Sequence, residues 1–388
     1  MGRQRLTCIV LWMRLHTQQL QELPVVTPIF EDVLVIMKIK CRRDKFVPLF
    51  SIISAFASGK DARLFLNNVK LSVDDSFVYM SATDGSVGGL GKLPVADGFV
   101  VEEPGEVVLP ASLLKRILAE TIDEEFTLET EGARILFKGN RCKYHLDAPA
   151  DVEKFPTVEP FEEKTYFKIP AKSMCDLIRR TVFATDLDNT HYDLQCVKVI
   201  FESDRTLAVS TDGRRLAYQA IATESVVDDP QTNVETEALF LTRTLNLIER
   251  VVSAVDAEYV LVAMKNSKSA SIKIDSVEIS TAVKEGKFPD WRSIFPDKSG
   301  RKRVDFLAGE LSRAIRQAEI VATENKPGVR FLFTKGNVNI AAAGESTGES
   351  SVDLMIAYDD EESSLRLDSR FLNEFFRNVS ATLERNMI

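Results

Sequence analysis

Two stretches of this chain gather carboxylates in turn-like contexts. SATDGS carries Thr83, Asp84 and Gly85, STDGRRLA repeats the triplet as Thr211, Asp212 and Gly213, and TDLDNTHYDL alternates Asp186 with Asp188. Clustered carboxylates are what a divalent cation takes, and a magnesium-dependent nuclease built on Asp84, Asp186, Asp188 and Asp212 is one reading of them. Against it, TDLDNTHYDL has neither the glycine nor the terminal glutamate of a calcium loop. The three histidines, His16, His145 and His191, are not paired at ligand spacing, which argues against a histidine-held zinc or a Ser-His-Asp triad. Five cysteines, Cys8, Cys41, Cys142, Cys175 and Cys196, form no CxxC pair, and their odd number fits a reducing, cytoplasmic setting. No catalytic residue, cofactor or metal is expected.

Arginine is the residue that recurs with order. LPASLLKRIL from Leu109, FLTRTLNLIERV from Phe240 and RLDSRFLNEFFRNV from Arg366 superpose Ser112, Arg243 and Arg370, then Lys115, Asn246 and Asn373, then Ala119, Arg250 and Arg377. Offsets of three and four place such positions on one helical face. Other basic residues also fall outward on predicted helices: Arg42, Arg43 and Lys45; Arg116; Lys172, Arg179 and Arg180; Arg313 and Arg316. One such residue is a solvated helix face. Repetition at equivalent places instead predicts a basic wall suited to a phosphate backbone without base reading.

The elements that must hold these residues repeat as whole units of roughly 130 residues. The two TDG triplets lie 128 residues apart between alternating apolar runs, a hairpin signal in which glycine supplies the positive φ. The third unit has AAGESTGES at about that place, a diverged turn, and KFPTVEP at Lys154 and KFPDWRSIFP at Lys287 close the first two units. AKSMCDLIRRTVFA predicts an amphipathic helix that buries Met174, Leu177, Ile178 and Thr181. ELSRAIRQAEIV predicts another, burying Leu311, Ala314, Ile315 and Ala318 and leaving Ile320 on the polar face. CVKVIFES, TLAVSTDG, YVLVAMKN, ASIKID and VEISTAV read as strands, so the fold class is α+β.

With 388 residues, 45% of them hydrophobic, the chain can form two or three domains with real cores. A net charge of -9 does not suit a protein that coats nucleic acid electrostatically, so any DNA role must rest on where the positive charges stand. The apolar run Leu6 to Met13 is short, is followed by Arg14 and lacks a small-residue cleavage site; it reads as neither signal peptide nor membrane span. The predicted organisation is an extension over 1–36, disordered or from a mis-assigned start, then subdomains over 37–160, 161–297 and 298–388.

In order and spacing, MKIKCRRDKF, ATDG, GEVVLPASLLKRIL, the two FP closures, STDGRRLA, GKFPDWRSIFP and NKPGVRFLF make residues 37 to about 385 resemble the bacterial DNA polymerase III beta subunit, the sliding clamp family. The resemblance implies three similar subdomains per chain of the DNA clamp fold and a head-to-tail homodimeric ring. Its helices would line a central hole, with continuous antiparallel sheet outside. It also implies a processivity factor that encircles double-stranded DNA topologically. The replicative polymerase alpha subunit, the clamp loader and other clamp-motif proteins would be its partners, with no membrane involved. Matching positions carry the family's peptide-binding cleft to Leu194, Thr211, Gly213, Arg214, Arg215, Leu216, Pro289 and Ile294, the DNA rim to Lys60, His191 and Tyr192, and ring closure to Tyr144 and Leu146 on one side with Ile320 and Val321 on the other.

The chain departs from the family pattern at Arg214, often histidine, and at Ser293, commonly arginine. It also stops at LERNMI, where the family continues into strands and a tail that completes the cleft, so the third subdomain is expected to lack its last strands. A repeat scaffold that binds only proteins is the second rival reading, and it predicts no role for the arginines in DNA association.

Overall fold

A computed structural model describes residues 35–57, 64–149, 152–186, 192–229, 235–294, 303–323 and 328–385. The first repeat begins with β1 (Val35–Arg42) and α1 (Arg43–Ile53), followed by β2 (Val69–Val73), β3 (Phe77–Thr83), β4 (Val87–Pro94), β5 (Phe99–Glu103) and β6 (Gly105–Leu109). It ends with α2 (Ala111–Glu120), β7 (Glu125–Glu131), β8 (Arg134–Lys138) and β9 (Lys143–Asp147). The second repeat runs in the same order: β10 (Tyr166–Pro170), α3 (Ala171–Val182), β11 (Cys196–Phe201), β12 (Arg205–Thr211), β13 (Leu216–Ala222), β14 (Glu224–Val226), β15 (Thr236–Leu241), α4 (Thr242–Ala254), β16 (Tyr259–Asn266), β17 (Ser269–Ile274), β18 (Val277–Ala282) and the short α5 (Trp291–Ile294). The third contains α6 (Ala308–Ala318), β19 (Gly328–Thr334), β20 (Asn337–Gly344), β21 (Gly348–Met355), β22 (Ser363–Asp368) and α7 (Ser369–Arg385). Ser112, Arg243 and Arg370 are each the second residue of their helix, the register that the sequence alignment predicts.

All strand pairs are antiparallel. The sheets have the orders β5-β1-β7-β8-β9, β14-β10-β16-β17-β18-β4-β3-β2-β6, β13-β12-β11-β15 and β21-β20-β19-β22. The nine-stranded sheet crosses from one repeat to the next through a seam in which Val277 pairs with Gly91 and Thr281 with Val87. α1 and the turn that follows it lie so close over β4 that a Cβ at Gly91 would stand 2.5 Å from Leu49 of the helix, and one at Gly89 2.5 Å from Phe56 of the turn. Only glycine permits that approach.

Burial follows the predicted stripes. α3 buries Met174, Leu177, Ile178 and Thr181 with Ala171 and Cys175; α6 buries Ala314, Ile315 and Ala318, with Leu311 half-buried. Each fully buried aliphatic side chain contributes roughly 1.5–3 kcal/mol. One core runs through the first two repeats, from Met37 and Ile39 to Ile279 and Val283, whereas the third repeat has its own core around Ile315, Val329, Val338 and Ile340.

The α-helix ends at Ala318, and Glu319–Val321 continue as a 3-10 turn. Helical periodicity therefore does not extend to Ile320 as expected, although its side chain is exposed. Residues 303–307, where β1 and β10 begin the earlier repeats, form no strand, and the described residues contain no counterpart of β16, β17 and β18 after α7. Without a neighbour to receive its hydrogen bonds, an extended segment gains nothing from the ladder geometry.

Candidate functional site

Both TDG triplets build the same turn. In the first, Asp84 Oδ1 accepts hydrogen bonds from the Ser86 and Val87 amides at 2.8 and 2.9 Å, while Thr83 Oγ1 accepts from the Gly85 amide and donates to the Val87 carbonyl, both at 3.0 Å. In the second, Asp212 Oδ1 accepts from the Arg214 and Arg215 amides at 2.9 and 3.0 Å, and Thr211 Oγ1 accepts from Gly213 at 3.0 Å and donates to the Arg215 carbonyl at 2.6 Å. Gly85 and Gly213 hold φ of 91° and 83°, a region side chains avoid. Asp84 and Asp212 thus tie turns in different repeats, and Asp188 lies outside the described residues. Among the described residues no group of three or more His, Cys, Asp or Glu could hold a metal ion.

Beside the second turn lies an apolar floor. Ile200, Leu207, Val209 and Trp291 form a buried cluster, with Leu216, Ala220 and Phe288 packed against it. Tyr218 stacks on Trp291 at 5.5 Å between ring centroids, and the Arg292 guanidinium lies over the Trp291 ring at 4.5 Å. The Trp291 amide donates to the Pro289 carbonyl at 2.8 Å, starting α5. Of the predicted cleft residues, the structure places Leu216 on this floor; Pro289 is exposed, and its neighbour Phe288 is the residue that packs there. Ile294 is exposed at the end of α5, and Leu194 is half-buried in a 3-10 turn, Tyr192–Gln195, its carbonyl accepting from the Asp186 amide at 2.9 Å. Trp291 and Tyr218 were missed as site residues. The aromatic inside KFPDWRS was the available signal for Trp291; nothing local marks Tyr218.

Arg215 is the most connected side chain of the site. Its Nε donates to Asp212 Oδ2 at 3.0 Å, its Nη2 to the Phe183 carbonyl at 2.7 Å, and its Nη1 to Glu374 on α7. Its guanidinium also faces the Phe371 ring at 4.6 Å and that of Phe183 at 5.4 Å. Arg214 is exposed at the turn, close enough to Asp368 to help hold that carboxyl below its usual range, an effect owed first to the hydrogen bond from Arg370. Phe371, Glu374 and Asp368 come from the third repeat, and only the tertiary fold identifies them.

The basic residues divide. Arg243, Arg250, Arg313, Arg316, Arg370 and Arg377 are exposed. Arg243 pairs with Asp84 at 2.8 Å, Arg250 donates to the Ser51 carbonyl at 3.4 Å, and Arg370 pairs with Asp368 at 2.7 Å. Arg243 and Arg250 line a groove of about 500 Å³ with Asp186, Gln195 and Asn246. Arg179 differs from its predicted outward position: half-buried, it is committed to Glu249 on α4 and to Ser253 at 3.2 Å, because the polar flank of α3 packs against α4. Arg180 turns to Gln219 on β13 at 3.2 Å, and Arg43 ties α1 to Leu118 and Thr121 at the end of α2. Lys60 and His191 lie outside the described residues, as does the side chain of Tyr192.

At the sheet edges, Tyr144 is partly exposed on β9, the last strand of its sheet, with its ring 6.0 Å from Phe137. Leu146 points into the core instead, because its place in the alternation of β9 faces inward. Val321 packs on the third core while Ile320 stays exposed.

A sequence profile of the DNA polymerase III beta subunit, central domain, matches residues 168–290. The beta sliding clamp of Rickettsia felis is 26% identical over 331 residues, covering 81% of this chain and 83% of the relative, and that of Treponema pallidum is 24% identical, covering 87% and 89%. Among solved structures, the sliding clamp of Pseudomonas aeruginosa bound to griselimycin superposes with a TM-score of 0.79 at 21% identity, covering 88% of this chain and 90% of that one. The Bacillus subtilis clamp gives 0.79 at 19% identity over the same shares. The sequence motifs, the antiparallel α+β architecture and these likenesses agree in supporting a bacterial DNA polymerase III beta subunit, whose central-domain family is matched by residues 168–290.

Proposed function

We propose that this protein is a DNA sliding clamp, a non-catalytic processivity factor acting in the cytoplasm. In this reading the chain encircles duplex DNA as a homodimeric ring and tethers the replicative polymerase, the clamp loader and other clamp-motif proteins through its cleft. The repeats 37–160, 161–297 and 298–388 serve as three similar subdomains. The observation that carries the reading is the β4–β18 seam. β9 holds in the first repeat the place that β18 holds in the second, and β21 holds in the third the place of β4 in the first. Both β9 and β21 are edge strands among the described residues. Joining β9 of one copy to β21 of another repeats the seam between molecules, with Tyr144 on one side of the joint and Ile320 on the other. Two such joints close a ring.

Inside that ring the exposed arginines of α4, α6 and α7, with Lys60, His191 and Tyr192 at the rim, would face phosphates. Weak, non-specific contacts suit a protein that must slide. The cleft floor of Leu216 and Trp291 suits the apolar side chains of an extended peptide.

Light scattering across a dilution series tests closure: a mass of about twice 43.4 kDa, persisting on dilution, is expected. A stable monomer would overturn the ring. Charge reversal at Arg243 and Arg313 is expected to reduce retention on circular DNA, whereas a protein-only scaffold would retain DNA association unchanged.

A further inference from the structure

We infer that closure of the ring is proton-coupled: across the joint of β9 with β21, His145 of one copy stands opposite Glu349 of the partner subunit, and proton uptake by the imidazole tightens the joint. The inference rests on the ring reading above and adds the register of the joint and its regulation. The register follows from the repeats. Ile39 and Phe167 are each the fourth residue before the first helix of their repeat. Ile39 pairs with Leu128, Leu128 with Phe137 and Phe137 with Tyr144, just as Phe167 pairs with Val262, Val262 with Ile272 and Ile272 with Ile279. Tyr144 therefore holds the place of Ile279. Val107 and Leu365 are likewise the fourth residues before α2 and α7. Val107 leads through Leu71 and Met80 to Gly91, and Leu365 leads through Phe331 and Ile340 to Val352. In the seam Ile279 pairs with Gly89 and Ser280 with Gly88. The same pairing between copies sets Tyr144 against Ser350 and His145 against Glu349.

His145 already has one carboxylate beside it. Its Nδ1 lies 3.4 Å from Glu131 on β7, and it is 44% exposed on an edge strand, which leaves Nε2 to meet the partner subunit. A neutral imidazole carries one N–H and can donate to only one of the two carboxylates, whereas the imidazolium donates to both. The other charges on this face of the first repeat are Glu129 on β7, Arg134 and Lys138 on β8, and Lys143 and Asp147 on β9, with Arg134 and Asp147 paired at 3.6 Å. From β21 come Glu349 and Asp353, both exposed. Hydrogen bonds from Asn337 and then Asn339 hold the Asp353 carboxyl below its usual range, so this edge keeps its negative charge. Glu349 is added to the surroundings of His145 only on closure, so the closed ring binds the proton more tightly than the open chain. Closure has that contribution in full below the ordinary histidine range and loses it as pH rises past that range. The seam within the chain has Ser280 and Gly88 at this position, and neither titrates.

The test mixes the full chain with a heavy-nitrogen-labelled form of itself and follows the mixed dimer by native mass spectrometry, since exchange requires both joints to open. Exchange is expected to be about 10-fold slower at about pH 5.5, where glutamates stay ionised, than at about pH 8, each of the two joints gaining one exposed charge pair. His145→Gln should exchange fast at both pH values and His145→Lys slowly at both, while Glu349→Gln should remove the dependence. His145 and Glu349 are exposed in the single chain, so these substitutions leave the cores intact. Equal rates in the unmodified protein, or a dependence that survives in His145→Lys, would overturn the proton coupling and leave the ring standing. A monomer at both pH values would overturn the ring as well.

Discussion

The junction between the first and second repeats and that between the second and third start from the same parts and end differently. At the first, β4 and β18 pair edge to edge, one core runs through, and Arg243 reaches Asp84 across the boundary. At the second, the described residues show no strand pairing; α3 meets α7, and Arg215 reaches Glu374. The turns match in their hydrogen bonds, so the junctions differ in two other ways: the described residues of the third repeat hold no counterpart of β18 to pair with β13, and the residues just after the turns differ. Val87 and Gly88 occupy the positions held by Arg215 and Leu216 in the second repeat. Val87 is 1% exposed within the seam, and a Cβ at Gly88 would stand 2.9 Å from Val158, which occupies the place equivalent to Trp291. Small residues let Val158 close the first junction. At the second, β13 is an edge strand among the described residues, and Leu216, Trp291 and a charged Arg215 stand where the first junction has Gly88, Val158 and Val87.

The comparison breaks most sharply if its key residue is transplanted. Val87→Arg buries a charge with no partner in the seam and is expected to cost about 4 kcal/mol, read as a shift of the urea midpoint with faster exchange in β18. The reciprocal loss is smaller and local. Arg215→Ala should cost about 2 kcal/mol by stranding the well-buried Asp212 carboxylate, with exchange accelerated over 369–378 and not in the first repeat.

The shared part of the two junctions yields a matched pair. Gly85→Ala and Gly213→Ala each force a side chain into positive φ and should each cost about 1 kcal/mol by equilibrium unfolding. A large inequality would show that the turns are not equivalent after all. The smallest effect concerns pH. Arg370, with help from Arg214, holds the Asp368 carboxyl below its usual range, so its stabilisation of the α7 start is present above the ordinary carboxylate pKa. That contribution is lost as pH falls through the depressed value. Asp368→Asn is expected to flatten the acid limb of the third-repeat melting curve by a small amount.

Repeat order, helix register and the two TDG hairpins were legible in the sequence, because turn chemistry and helical periodicity are local. Arg243 could be aligned with Arg370 from spacing alone. Arg179 was misread as a free outward cation because its partner, Glu249, lies on a different helix, 70 residues away. Ile320 was placed by α-helical arithmetic that a tighter final turn cancels. Tyr218 gave no local signal, since only the stacking of α5 on β13 makes it part of a floor.

The sequence by itself determined the repeated unit, the glycines and aspartates that bend its hairpins, and the apolar stripes that must be buried, each set by contacts within a few residues. The tertiary structure alone decided which cations remain exposed, which of two identical turns opens a cleft, and how Arg215 links it to α7. Those outcomes depend on which distant surface each side chain meets on burial, and local patterning does not encode that partner.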